Sequence, residues 1–200
     1  MKQRFFLIYF IVWNFFLSFY PFKSWADGKN HDLFNEASTY LDFLGFDDIA
    51  SLNSTSFSKD ILAQSSGYCL GGTLGHSNHG LHRFIDNCLF IGETQFISKK
   101  ESDGPLKETV KTYGLKLAPG MGFYIFDHKI ELGFKLPILF TDQENPPKVS
   151  NQSIKPSKGP KFIGSGYFRW DIQEAFIQME LGKELSLETT YWSLGAGHRF

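Results

Sequence analysis

The sequence has few cysteines, no excess of basic residues and, beyond its first apolar run, no stretch that could form a membrane-spanning helix. Two cysteines exclude a disulfide-rich scaffold and a four-cysteine zinc site. A formal net charge of −1 leaves no basic field for nucleic acid. What the chain does contain is 22 Phe and 19 Gly among 200 residues, a combination typical of strands with tight corners in one compact domain.

The N-terminus has the layout of a secretory signal peptide. Two basic residues precede an apolar run over 5–20, and small residues stand at Ser24 and Ala26. This pattern predicts a leader over 1–26 that is cleaved after Ala26. The alternative is an uncleaved anchor helix, since the run approaches the length of about 20 residues that spans a bilayer.

Apolar residues recur at helical spacing just after the leader, at Leu33, Phe34, Ala37, Tyr40, Leu41 and Leu44. With Asp32 placed to cap the start and Gly45 to end it, the spacing predicts an amphipathic helix over about 32–44, within a segment 27–53. The opposite face carries no basic residue, so we expect this helix to pack against the protein, with binding to lipid as the alternative.

From about residue 66 the apolar period changes from 3.6 to 2, most clearly in the run 130–140. The alternating runs are about 10 to 17 residues long, whereas soluble strands average about 5–6 and membrane-crossing strands need about 9–11. The polar faces of these runs carry Lys116, Glu131, Lys135, Arg169, Asp171, Glu180 and Arg199. Such charges can pair inside a narrow barrel while the other face meets lipid. We therefore predict an all-β, antiparallel up-and-down transmembrane β-barrel, with a soluble barrel as the alternative.

The last ten residues alternate and end on an aromatic residue, with Trp192, Leu194 and Phe200 on one face. This resembles the C-terminal insertion signal of bacterial outer-membrane β-barrels. The resemblance implies a diderm outer membrane as the location, and outer-membrane lipid and the barrel-insertion machinery as partners. Over about 54–200 the chain resembles the small eight-stranded OmpA/OmpX-like class, which places 27–53 in the periplasm.

Seven strands are clear in the sequence, at about 67–77, 82–97, 109–126, 129–141, 161–172, 175–186 and 189–200. Because bacterial single-chain barrels have even strand numbers, we expect an eighth at about 54–63. Short connections then fall on the periplasmic side, and the longest, 98–108 and 142–160, fall outside. These two loops are the expected contact surface for an extracellular partner.

A hairpin turning about Asn78-His79 would place Cys69 opposite Cys88. We predict a disulfide between them, in a compartment where such bonds persist; two free buried thiols are the alternative. The bond would be a staple rather than a redox site, because the chain has no Cys-x-x-Cys.

Candidate chemistry is confined to the run 75–81, which is similar to the His-x-Ser-Asn motif of outer-membrane phospholipases and lipid A deacylases. The candidates are His76 and Ser77, although His76 stands one residue too late and points to the opposite strand face. His76, His79 and His82 could ligate a metal, but they also fall on opposite faces.

The predicted helix resembles that of the lipid A palmitoyltransferase, without a matching catalytic run. We therefore expect a structural or surface-interaction protein with no cofactor and no metal. A lipid-modifying enzyme (an acyl hydrolase or acyltransferase) and a narrow pore are the alternatives.

Overall fold

A computed structural model of the chain describes residues 34–52, 61–98, 107–126, 129–144, 148–149, 152–156, 159–185 and 189–200. Their regular structure is β, in eleven strands: β1 Glu36–Leu52, β2 Ile61–Asn78, β3 Leu81–Ser98, β4 Lys107–Ile125, β5 Ile130–Lys135, β6 Ile138–Gln143, β7 Lys148–Val149, β8 Gln152–Pro156, β9 Lys161–Ile172, β10 Ala175–Glu184 and β11 Thr190–Arg199. Within these ranges there is no helix long and apolar enough to cross a membrane. The predicted leader, 1–26, lies outside them.

The strands close into an antiparallel barrel with eight walls. β5 and β6 together form one wall, because both pair with β4 on one side and β9 on the other. The barrel closes where β1 pairs with β11, from Ser38 opposite Arg199 to Phe46 opposite Tyr191. The structure confirms the predicted all-β, eight-stranded up-and-down barrel.

The predicted helix over 32–44 is wrong where the structure describes it, because Glu36–Leu52 is the first wall strand. The inward side of this strand carries Ser38, Tyr40 and Asp42 at every second position. Because polar residues stand at these inward positions, a short stretch of the sequence does not show the apolar period of two that indicates a strand. Hydrogen-bonding partners on both sides, β2 and β11, override the local helical pattern. The eighth wall is therefore β1 and not a strand at 54–63, of which only 61–63 is described, as part of β2.

The two ends of the barrel differ. At one end, called here the turn end, tight turns at 79–80 and 173–174 join neighbouring strands, and Lys129 N–H donates to Phe126 O at 3.2 Å where β4 is followed by β5. The opposite end, the loop end, carries the long connections, so the predicted division into short and long connections holds. The turn after β2 has positive φ at both His79 (49°) and Gly80 (83°), as a type I′ hairpin requires.

Strands β1–β4 are 17 to 19 residues long, whereas β9–β11 have 10 to 12. Since their turn ends are level, β1–β4 extend further at the loop end. There β8 pairs with the free edge of β1, from Ala50 opposite Pro156 to Leu52 opposite Ile154. A short strand within the predicted external loop 142–160 thus folds back onto the first wall.

Two prolines interrupt the wall at the same height. Pro137 separates β5 from β6 within the predicted strand 129–141, although the pairing register with β4 continues unchanged. Pro119 lies beside it on β4, where its carbonyl accepts the Leu136 N–H at 2.9 Å. Pro137 in turn accepts from Ile163 N–H at 2.9 Å. Each proline accepts a hydrogen bond from the neighbouring strand through its carbonyl oxygen, but it has no N–H group with which to donate one.

Candidate functional site

Six charged or titratable side chains meet inside the barrel at the turn end. They come from five different walls and form what is called here the turn-end cluster: Glu36, His82, Glu131, Arg169, Asp171 and Arg199. His82 Nδ1 lies 2.7 Å from Glu131 Oε1, which also accepts the Tyr167 hydroxyl. Arg169 donates to Asp171 at 3.1 Å, and Arg199 donates to the same carboxylate at 2.9 Å.

One carboxylate oxygen on β1 contacts side chains from three other walls. Glu36 Oε2 accepts the Tyr124 hydroxyl at 3.1 Å and lies 3.6 Å from His82 Nε2 and 3.8 Å from Arg199 Nη1. Arg199 also donates to the Tyr124 hydroxyl at 2.9 Å. The first and last walls are therefore tied by side chains beside the β1–β11 seam.

A second charged layer, the middle cluster, lies deeper in the interior and consists of Asp42, Asp86, Lys116, Lys135 and Glu180. Lys135 donates to Asp86 at 2.6 Å, and Lys116 lies 3.7 Å from both Asp42 and Glu180. Every member is buried, and each of the three carboxylates has a lysine ammonium group, rather than bulk water, within 4.0 Å.

The half of the interior towards the loop end is largely apolar. Its buried side chains include Leu44, Phe46, Phe90, Leu139 and Ile163. Near its top Lys161 pairs with Asp48 at 2.5 Å, and the buried hydroxyl groups of Ser65, Thr94 and Thr112 form a chain of hydrogen bonds. An ionic layer towards the turn end and a largely apolar layer towards the loop end thus fill the barrel. This filling is expected for eight strands, whose interior is just wide enough for side chains.

The disulfide joins β2 to β3 within this apolar layer. Cys69 and Cys88 are bonded, with their Cα atoms 5.6 Å apart and both side chains fully buried. The predicted register is wrong by two, since Cys69 faces Phe90 and Cys88 faces Gly71. The turn at His79–Gly80 causes this shift, and the sulfurs meet diagonally beside Gly71, where a Cβ would lie 2.4 Å from that of Cys88.

The structure places the seven charged residues expected in the interior on the inward side of their strands. Five are almost fully buried, while Asp171 and Arg199 lie near the turn-end opening. Sequence reasoning missed Glu36, Asp42, His82 and Asp86 as their partners. Asp86 and His82 share the inward side of β3 with Cys88 and Phe90, so alternation from the cysteine could have found them. Asp42 lay in the predicted helix and could not be found this way.

The proposed catalytic candidates are not brought together. Ser77 N–H donates to Asn35 Oδ1 at 2.8 Å, and Asn35 donates back to Ser77 O, which closes the turn end of β2. His76 is on the opposite, outward side of the same strand. Within the described ranges, no group of three or more His, Cys, Asp and Glu side chains is placed to hold a metal ion.

The outward surface carries an apolar band with aromatic side chains at both limits. Towards the loop end the limit is marked by Tyr68, Tyr113 and Trp192, and towards the turn end by Phe126, Trp170 and Phe200, all exposed. Along β4 the band runs from Tyr113 to Ile125, which spans roughly 30 Å at the usual rise and tilt. This is close to the apolar band of about 25 Å on membrane barrels. Trp192, Leu194 and Phe200 of the predicted insertion signal all face outward.

Beyond this band, at the loop end, the outward side becomes polar. Gln64 and Ser66 follow Tyr68 on β2, Glu93 follows Ile91 on β3, and Lys111 follows Tyr113 on β4. About six residues of each strand stand above the band, which extends the sheet by roughly 15 Å. The walls β1–β4 therefore rise as a polar extension, called here the collar.

No family model matches the chain, and no curated protein matches it. Solved structures do match. The crystal structure of Ail, the attachment invasion locus protein of Yersinia pestis, in complex with the heparin analogue sucrose octasulfate, aligns with a TM-score of 0.51 at 11% identity, covering 82% of this chain and 99% of that one. The chain has the fold of the small outer-membrane β-barrels. A second crystal structure of Ail aligns with a TM-score of 0.41 at 11% identity over 82% of this chain and 98% of that one. The closed eight-stranded barrel and the first of these alignments confirm the barrel class predicted from the sequence.

Proposed function

We propose that the protein resides in the outer membrane of a diderm bacterium, with the turn end in the periplasm and the loop end outside. The apolar band and its aromatic limits support this location, and 1–26 would be the export signal. The intact mass of the mature protein should correspond to a chain that begins at Asp27. A compact form that shifts in gel mobility only after boiling would support the embedded barrel, whereas extraction into plain buffer would contradict it.

We further propose a surface-interaction role in which the collar and the external loops contact an extracellular macromolecule. The observation that carries this proposal is the collar itself. A barrel that only filled the membrane would need no strands of 17 to 19 residues, since about 9–11 suffice to cross. The extra length places polar sheet where a partner outside the cell can reach it.

The exposed charges of the described residues at the loop end favour a protein partner over a sulfated polysaccharide. Ail was crystallised with a heparin analogue, which is a polyanion. Here the exposed, described residues at the loop end include four acids and two bases, namely Glu93, Glu108, Asp142, Glu144, Lys111 and Lys183. An acidic excess repels a polyanion, so the same ligand class is not supported by these residues.

The test compares adherence of cells that display the protein on surfaces coated with extracellular proteins. The double variant Glu93→Arg/Gln95→Arg alters the outward side of the collar, and Arg83→Glu makes a matched charge reversal on β3 at the turn end. We expect the collar variant to reduce adherence about tenfold while Arg83→Glu leaves it unchanged. Heparin added as a competitor should have little effect. Equal adherence with and without the protein would overturn the proposal.

A further inference from the structure

Strand β9 has an uncovered glycine in the middle of the apolar band. Gly166 faces outward, and a Cβ placed on it would find its nearest heavy atom, the carbonyl oxygen of Gly133, at 3.9 Å. Gly45 is also outward on β1, but there the Trp192 ring lies where a Cβ would stand, 2.7 Å away. The protein thus covers one outward glycine with its own side chain and leaves the other open.

The opening at Gly166 continues as a groove of about 490 Å³, called here the β9 groove. Phe134 on β5 and Leu181 on β10 flank the glycine, since they are its cross-strand neighbours. Both project strongly, with 71% and 58% of their surface exposed. The groove runs from Gly166 past Phe168 and Met179 towards the turn end.

The chemistry of the groove matches a hydrocarbon chain. Its lining is apolar side chains and glycine backbone, with one aromatic ring from the interior residue Tyr167 and no charged group. If the groove were empty, the side chains on its two sides would lose dispersion contacts and leave apolar surface exposed. The groove is continuous with the apolar band, and it descends to the turn-end side of the bilayer, where phospholipids form the leaflet.

We propose that the β9 groove binds one acyl chain of a phospholipid from the periplasmic leaflet. The bound acyl chain lies over Gly166, between the side chains of Phe134 and Leu181, and fills the β9 groove. This site is separate from the collar and from the interior ion clusters. It rests on the proposed membrane location alone.

The experiment uses the folded full-length mature protein in mild detergent, incubated with phosphatidylethanolamine and examined by native mass spectrometry. Gly166→Leu places a side chain in the groove, and its Cβ would meet no heavy atom closer than 3.9 Å. Ala196→Leu is the matched control, because it adds the same side chain to an exposed outward position on β11, away from the groove. Heat-dependent gel mobility verifies that each variant is folded.

We expect the wild type and Ala196→Leu to retain one lipid per chain, and Gly166→Leu to bind it about tenfold more weakly. Equal retention by all three proteins would overturn the proposal, as would a wild type that retains no lipid. A dimer that Gly166→Leu converts to monomer would assign the groove to a second copy and also overturn it. A protein that fails the heat-mobility test would instead refute the membrane location.

Discussion

His82 Nδ1 lies 2.7 Å from Glu131 Oε1, and the barrel wall encloses both side chains almost completely. The chain contains the same chemical pair a second time, with His198 Nε2 at 3.4 Å from Glu174 Oε2, but there the two side chains are 50% and 81% exposed. The two pairs separate the contribution of burial from that of the contact itself.

Glu131→Gln should lower the free energy of unfolding by about 3 kcal/mol. The substitution removes the buried carboxylate that lies beside His82 and Arg169 and accepts the Tyr167 hydroxyl, which leaves Asp171 as the anionic partner of Arg169. Urea unfolding of the refolded barrel, followed by tryptophan fluorescence, measures the change. Glu174→Gln is the control and should change stability by less than about 0.5 kcal/mol, since an exposed pair contributes little. Equal losses in the two variants would show that burial is not the cause.

Replacing both cysteines, Cys69→Ala with Cys88→Ala, should cost about 3 kcal/mol of unfolding free energy. The bond closes a sequence separation of 19 residues, and the loss reflects the freer unfolded chain. Because both sulfurs are fully buried, an alkylating agent added with reductant should label the wild type only after unfolding in urea. Labelling of the folded barrel at the same rate would contradict the enclosed position of the bond.

Phe200→Ala should lower the yield of assembled barrel while leaving the stability of the assembled fraction nearly unchanged. The Phe200 side chain is 65% exposed on the outward side, and its backbone N–H still donates to Ala37 O in the variant. Pulse-chase assembly in cells, read by heat-dependent gel mobility, gives the yield. Phe126→Ala removes an equally exposed aromatic side chain from the same rim and should assemble normally. A parallel loss in both variants would remove any special role of the last residue.

The purified protein should carry no steady current in planar bilayers. The ionic layer and the apolar layer close the interior one above the other, so Phe90→Ala, which opens only the apolar layer, should also remain silent. Step-like currents that scale with the amount of purified wild-type protein would show that these layers part, and would favour the pore.

Seven walls of the barrel could be predicted from the sequence because their outward residues are mostly large and apolar, while many of their inward residues are small, polar or charged. The inward position of Lys116 or Glu131 follows from that alternation alone. Their partners do not, because Lys116 meets Asp42 and Glu180 from walls that are remote in sequence. Only the closed barrel brings these strands together.

The first wall was missed for the same physical reason. Asp42 on β1 is inward and fully buried, and it is satisfied by Gln178, which donates to it at 2.8 Å from 136 residues away. Considered only with its neighbours in sequence, Asp42 fits the polar side of the predicted helix. The hairpin register was missed because a positive φ at His79 is a property of the closed turn that residue type alone does not indicate.

The two neighbouring prolines, on β4 and at the β5–β6 junction, make the barrel easier to deform at one place on its circumference than elsewhere. The pairing of β4 with β5–β6 and the pairing of β5–β6 with β9 each lack one backbone N–H donor at that height. The strands around Leu136 are therefore easier to separate than β1–β3, which are paired along their length. Lateral pressure from the bilayer would therefore deform the cross-section first at this junction. The disulfide, between β2 and β3, stiffens a different part of the circumference.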